Sequence, residues 1–250
     1  MEQIEAFDIK FHPLARSEFI SVIREHIEKR TPLIQFGVNS ATVVDIRKDD
    51  FYRTVLKDTD LVNVDGMSVV WALRLFGYRI PERVATPDLA KDVIEMAALS
   101  GFTVYLLGAR EDVINSCVKN LQNNYPDLRI AGSRNGYFLP VEEQKIVEQI
   151  NDVHPDILLL GMSSPQKEFF VKNNKAQLKA KYILGVGGYF DILSGNTRRA
   201  PVWMQVTGLE WLFRLIQEPG RMWNRYLIGN FRFLWLVLTE LRIQRRKNGE

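Results

Sequence analysis

Six short runs of this chain are almost continuously apolar or small: PLIQFGV (32–38), DLVNV (60–64), TVYLLG (103–108), RIAGS (129–133), DILLLG (156–161) and YILGVG (182–187). Runs of this length, bounded by glycine and polar residues, predict strands. Between them apolar residues recur at helical spacing over 15–29, 49–58, 67–77, 87–99, 111–123, 141–152 and 165–179. Strands apolar on both sides, alternating with helices, predict an α/β fold: a mostly parallel, Rossmann-like sheet with helices on both faces. Sheets of this kind bind ligands in the crevice beyond the strand C-termini.

The loops expected at that rim read Gly37–Val38–Asn39, Asp65–Gly66, Gly108–Ala109–Arg110, Gly161–Met162–Ser163–Ser164–Pro165 and Gly185–Val186–Gly187–Gly188. Four of the five lead directly into a helix, and helix N-termini favour phosphate. One loop carries a carboxylate at the end of a buried strand, in LVNVDGMSVVW (61–71). Asp65 has two readings that the local sequence leaves open. It is an N-cap for the helix that follows, or a general base that takes a proton from an incoming hydroxyl.

Charge separates the chain into two parts. Residues 198–250 hold ten Arg/Lys against four Glu, a net +6, while 1–197 carry a net −3. Four of the five tryptophans, Trp203, Trp211, Trp223 and Trp235, also lie after residue 197. This predicts an α/β catalytic body over 1–197 and a basic, amphipathic, helical appendage over 198–250, broken into two helices at Pro219–Gly220. Arginines with interleaved aromatics suit an anionic membrane surface. Nothing beyond charge and aromatics favours nucleic acid, which is not expected as a partner.

Composition narrows this further. The single cysteine, Cys117, argues against a disulfide framework and for a reducing compartment. The N-terminus has no long apolar run, so no secretory signal is expected. No stretch reaches ~18 uninterrupted apolar residues, so no membrane span is expected. Gly-x-x-x-x-Gly-Lys-Ser/Thr is missing, which disfavours P-loop chemistry. His12, His26 and His154 are scattered without metal-ligand spacing, so no metal is expected. Asp58–Thr59–Asp60 precedes its strand and reads as a solvated helix end.

At this point the sequence resembles the WecG/TagA/CpsF family of bacterial glycosyltransferases. The resemblance is carried by VNVDGMSVVWALRLFG (62–77), PERVATPDL (81–89), VYLLGAR (104–110), YPDLRIAGSRNGYF (125–138), PDILLLGMSSPQKEFF (155–170) and the run from Gly185 to Tyr226. It implies an inverting transfer of a sugar from a UDP-sugar to a polyprenyl-diphosphate-linked saccharide, at the cytoplasmic face of the plasma membrane, in cell-surface polysaccharide synthesis. It implies no cofactor and no catalytic metal. The family's proposed base falls on Asp65. Arg83, Arg214, Arg221 and Arg225 are candidates for binding the diphosphates, and Asn39 for orienting a sugar. Gly108, Gly136, Tyr137, Gly187 and the Ser163–Glu168 loop, with Ser163, Gln166, Lys167 and Glu168, are expected to frame the donor. A homo-oligomer is a further candidate partner.

The chain departs from the family pattern at three positions. Gly37 stands where many members have Thr, Thr86 where Gly is usual, and Lys167 where Gln is usual. Two other function classes remain in view. Gly185-x-Gly187–Gly188 suggests a nucleotide-sugar oxidoreductase or epimerase, and the appendage alone suggests a non-catalytic membrane-binding module.

Overall fold

The computed structural model describes residues 2–217, 219–220 and 229–247. All six expected strands are present, as β3 (Leu33–Val38), β4 (Leu61–Val64), β5 (Thr103–Gly108), β6 (Arg129–Arg134), β7 (Ile157–Gly161) and β8 (Tyr182–Gly185). They form one sheet in the order β4-β3-β8-β7-β5-β6, every pair parallel. All the strand C-termini therefore lie at one rim.

Alternation along the strands splits the core in two. Ile34, Phe36, Tyr105, Leu107, Leu158, Leu160 and Ile183 pack on one face. Leu33, Val104, Leu106, Ile157, Leu159, Tyr182 and Leu184 pack on the other. A period of two with both faces buried is the reason these runs are almost wholly apolar.

The seven expected helices appear as α1 (Arg16–Glu28), α3 (Asp50–Lys57), α4 (Met67–Leu75), α5 (Thr86–Ser100), α6 (Glu111–Asn124), α7 (Glu143–Asp152) and α8 (Gln166–Asn174). Helix α8 is shorter than its expected span. Asn174 folds its amide back onto Phe170 O at 2.8 Å and also reaches the Glu143 carboxylate, local bonding that competes with continued helix. Strand β8 stops at Gly185, because Val186 N and Gly187 N turn to donate to Leu160 O. The sequence reading missed the short helices α2 (Ser40–Asp45), α9 (Tyr189–Leu193) and α10 (Val202–Val206), and an antiparallel hairpin of β1 (Ile4–Ala6) and β2 (Ile9–Phe11).

In the appendage, α11 (Glu210–Gln217) and α12 (Gly229–Lys247) are helical. Pro219 and Gly220 are themselves in helical conformation, so the expected interruption is not found at those two residues. The positions that flank them, 218 and 221–228, lie outside the described residues. Helix α12 packs on α2 through Phe233 and Val237, and Phe233 also meets Phe7 of the hairpin turn at 5.8 Å between ring centroids. Gly208 (φ +74) lets the chain lie on α4, since a Cβ there would stand 2.9 Å from the Trp71 ring. Among the described residues no helix is long and apolar enough to cross a membrane.

Candidate active site

Described residues line two cavities at the C-terminal rim. The smaller, about 160 Å³, lies beyond β3 and β4. Asn39 caps α2: its Oδ1 accepts from Ala41 N at 3.0 Å and Thr42 N at 3.3 Å, which turns its Nδ2 toward Asp65 Oδ2, 3.5 Å away. The backbone of Asp65 is tied to the neighbouring strand through its N–H to Val38 O at 2.9 Å. Its Oδ1 accepts from Thr86 N at 2.7 Å. Asp65 therefore does not cap α4, whose N-cap is Gly66. It satisfies the first amide of α5, a helix twenty-one residues further on. Oδ1 is committed to that amide, while among the described residues Oδ2 has the long Asn39 contact, and Asp65 lines the cavity.

Cations complete the small cavity. Arg83 lines it and pairs with Glu210 through Nη1–Oε2 at 3.1 Å, with both side chains largely buried. Arg214 of α11 lines it from the appendage side. Glu210 also approaches Arg199 Nε at 3.6 Å, and Arg199 forks onto Asp88 of α5, with Nη2–Oδ2 at 2.7 Å. This chain of four charges fastens the appendage to the helix that holds Asp65. Burial alone would raise the Asp88 pKa, but the Arg199 hydrogen bonds and the charges of Arg199, Arg16 and Arg83 outweigh it and hold the carboxyl below its ordinary value.

The larger cavity, about 1250 Å³, lies beyond β5, β7 and β8. From β5 the chain moves outward to β6, and from β7 it moves the other way to β8, so this is a topological switch point. Gly136, Tyr137, Ser163, Gln166 and Gly187 all line it. Gly108 does not; its role is contact between backbones. A Cβ there would stand 2.4 Å from the carbonyl carbon of Gly161, and one at Gly136 would stand 2.8 Å from Gly108 Cα. Asp112, Glu142 and Asp191 share the lining with a single cation, Arg110. Acidic walls suit hydroxyl groups better than phosphates. The small cavity, beside Asp65, is lined by two arginines, Arg83 and Arg214.

The profile of the Glycosyl transferase WecG/TagA/CpsF family matches residues 4–248. The chain belongs to this family. An N-acetylglucosaminyldiphosphoundecaprenol N-acetyl-beta-D-mannosaminyltransferase of Bacillus subtilis (strain 168) is 33% identical over 213 residues, which cover 84% of this chain and 82% of that protein. As a WecG/TagA/CpsF protein the chain is a glycosyltransferase, and the oxidoreductase, epimerase and adaptor readings give way to that assignment.

Lys167 and Glu168 line neither cavity of this WecG/TagA/CpsF chain. Glu168 Oε1 gathers Lys167 Nζ at 2.7 Å, Ser164 Oγ at 2.9 Å and Tyr52 OH at 3.2 Å, all buried or half-buried. Burial and the Glu168 charge push the Tyr52 pKa well up, so its hydroxyl stays a donor. The cluster joins α3 to the first turn of α8 and the loop before it, which contribute Gln166 and Ser163 to the large cavity. Arg221 and Arg225 lie outside the described residues. Among the described residues no group of three or more His, Cys, Asp or Glu side chains is placed to hold a metal ion.

A buried network beneath Asp65 was not singled out from the sequence. Tyr182 OH donates to Gln35 Oε1 at 2.8 Å, and Gln35 Nε2 donates to Asn63 Oδ1 at 3.0 Å. Asn63 Nδ2 donates to Val84 O at 2.7 Å and reaches Thr86 Oγ1 at 3.4 Å. Its signal was present: Gln35 and Asn63 are polar residues inside PLIQFGV and DLVNV.

Proposed function

We propose that this chain transfers a sugar, with inversion, from a UDP-sugar to a saccharide on a polyprenyl diphosphate, and that Asp65 is the general base. The observation that carries this reading is the Asp65 carboxylate. It follows a buried strand, is held through Oδ1 by Thr86 N at 2.7 Å, and lines a cavity together with Arg83 and Arg214. Inversion needs one in-line displacement. The acceptor hydroxyl loses its proton to Asp65 Oδ2 as its oxygen bonds to the anomeric carbon, and the bond to the UDP oxygen breaks on the opposite face. Negative charge then grows on the leaving diphosphate, where arginine and helix-terminal amides stabilise it without a metal or cofactor.

The two cavities divide the donor between them. The acidic walls of the large one suit the ribose hydroxyls, and the arginines of the small one suit the diphosphate. The acceptor class follows from the Bacillus subtilis relative, whose name places N-acetylglucosamine on a diphosphoundecaprenol. The outward side of α12 supports peripheral attachment to an anionic membrane, since Phe231, Leu234, Trp235 and Leu238 are exposed at helical spacing within a basic segment.

The test is Asp65→Asn, with UDP release measured against short-chain prenyl-diphosphate saccharides and a panel of UDP-sugars. The variant should lose about 10²–10⁴-fold in kcat while its thermal midpoint and UDP affinity stay near those of the wild type. Near-normal turnover would remove Asp65 from the role.

A further inference from the structure

Gly37 of β3 and Thr86 of α5 face each other. A Cβ built on Gly37 would stand 2.1 Å from Thr86 Oγ1, 3.1 Å from Asn63 Nδ2 and 3.2 Å from Asp65 Cβ. The Thr86 hydroxyl therefore occupies the volume that a side chain at 37 would claim, between the same two neighbours. Gly37 pairs with Asn63 in the sheet register, and Asn63 Nδ2 reaches Thr86 Oγ1. Thr86 is buried and lines neither cavity, although Ala85 and Pro87 on either side of it do. Its backbone N–H is the donor to Asp65 Oδ1.

We propose that Thr86 is a positioning residue for Asp65, its side chain filling from α5 the space left open over Gly37 of β3. The wedge of Thr86 against bare β3 backbone fixes the first turn of α5, and hence the amide that orients the carboxylate. Asn63 locks the wedge from below, and the chain Tyr182–Gln35–Asn63 locks Asn63 in turn. Positions 37 and 86 then form one unit that tolerates a single hydroxyl-bearing side chain. With side chains at both, the 2.1 Å approach drives α5 off the sheet; with neither, the amide loses its register on Asp65.

The proposal rests on Asp65 as the base, and its test separates the two claims. Four variants are compared by thermal midpoint and by steady-state kinetics: Thr86→Gly, Thr86→Ser, Gly37→Thr and the double variant Gly37→Thr/Thr86→Gly. Thr86→Gly should lose about tenfold or more in kcat with donor KM within about twofold, the pattern of a group that acts only in the chemical step. Thr86→Ser should keep most of the kcat. Gly37→Thr alone should unfold at a lower temperature, and the double variant should recover both midpoint and kcat beyond the sum of the single effects. Additive effects in the double variant, or an unchanged kcat in Thr86→Gly, overturn the proposal. Coupling in midpoint without coupling in kcat also overturns it, since the pair is then packing alone. If Asp65→Asn keeps its turnover, the base assignment falls, whereas the midpoint coupling between 37 and 86 is read independently of it.

Discussion

Tyr182 is wholly inside the sheet, yet it ends in a hydroxyl whose bond is to a glutamine 147 residues away. Tyr182→Phe keeps the ring and strands Gln35 Oε1 without its donor. It should cost about 1–3 kcal/mol, read as a lower midpoint in urea with an unchanged slope. The polar half of this network was visible in the sequence, because Gln35 and Asn63 interrupt otherwise apolar runs. Their partners were not, since no local pattern connects positions this far apart. The same limit explains the two readings of Asp65. Capping rules look three residues ahead, and the amide it serves belongs to Thr86, on another helix. Sequence placed the carboxylate at the rim; only the fold reveals which oxygen is occupied.

At the scale of elements, the strands and longer helices were legible because burial on both faces and helical amphipathicity each leave a period in the chain. The hairpin left none. Its strands have three residues each, and its turn uses Phe7 and Asp8 at φ 57° and 63°, a conformation that sequence reading expects from Asn-Gly or Asp-Gly. Buried Phe7 meets Phe76 and Phe233 there, and packing outweighs the backbone cost. Helices α2, α9 and α10 have five or six residues, less than two turns, so no stripe can show. The join between appendage and body is testable through Asp88→Asn. Its folded pKa lies below the ordinary 3.8, so the unfolded chain takes up the proton first. The stabilisation is full above about pH 4 and is lost as pH falls through the lower folded value. Asp88→Asn should therefore cost about 1.5–3 kcal/mol at pH 7 and flatten the acid limb of the stability curve, measured by urea unfolding from pH 7 to pH 3.

Across the whole molecule, the unequal charge of body and appendage is the feature that sequence made plainest, and α12 turns an exposed apolar stripe outward within the basic part. Binding to vesicles should rise with anionic lipid and fall with salt, since each basic residue near such a surface contributes roughly 1 kcal/mol. Trp235→Ala should weaken co-sedimentation about tenfold, the loss of roughly 1.5 kcal/mol or more for one buried large side chain. Insensitivity to salt would place the attachment on the aromatics instead. The sheet order, by contrast, was beyond the sequence reading, because alternation gives the strands but not which of them become neighbours. That order sets the large cavity between β5 and β7, and among the described residues every one that lines it comes before position 198. Gly208, Glu210, Trp211 and Arg214, together with the Asp65 loop, line the small one. On the proposed attachment, traffic through one doorway would be decoupled from anchorage at the other: among the described residues no part of the appendage touches the mouth through which small soluble cargo would be exchanged.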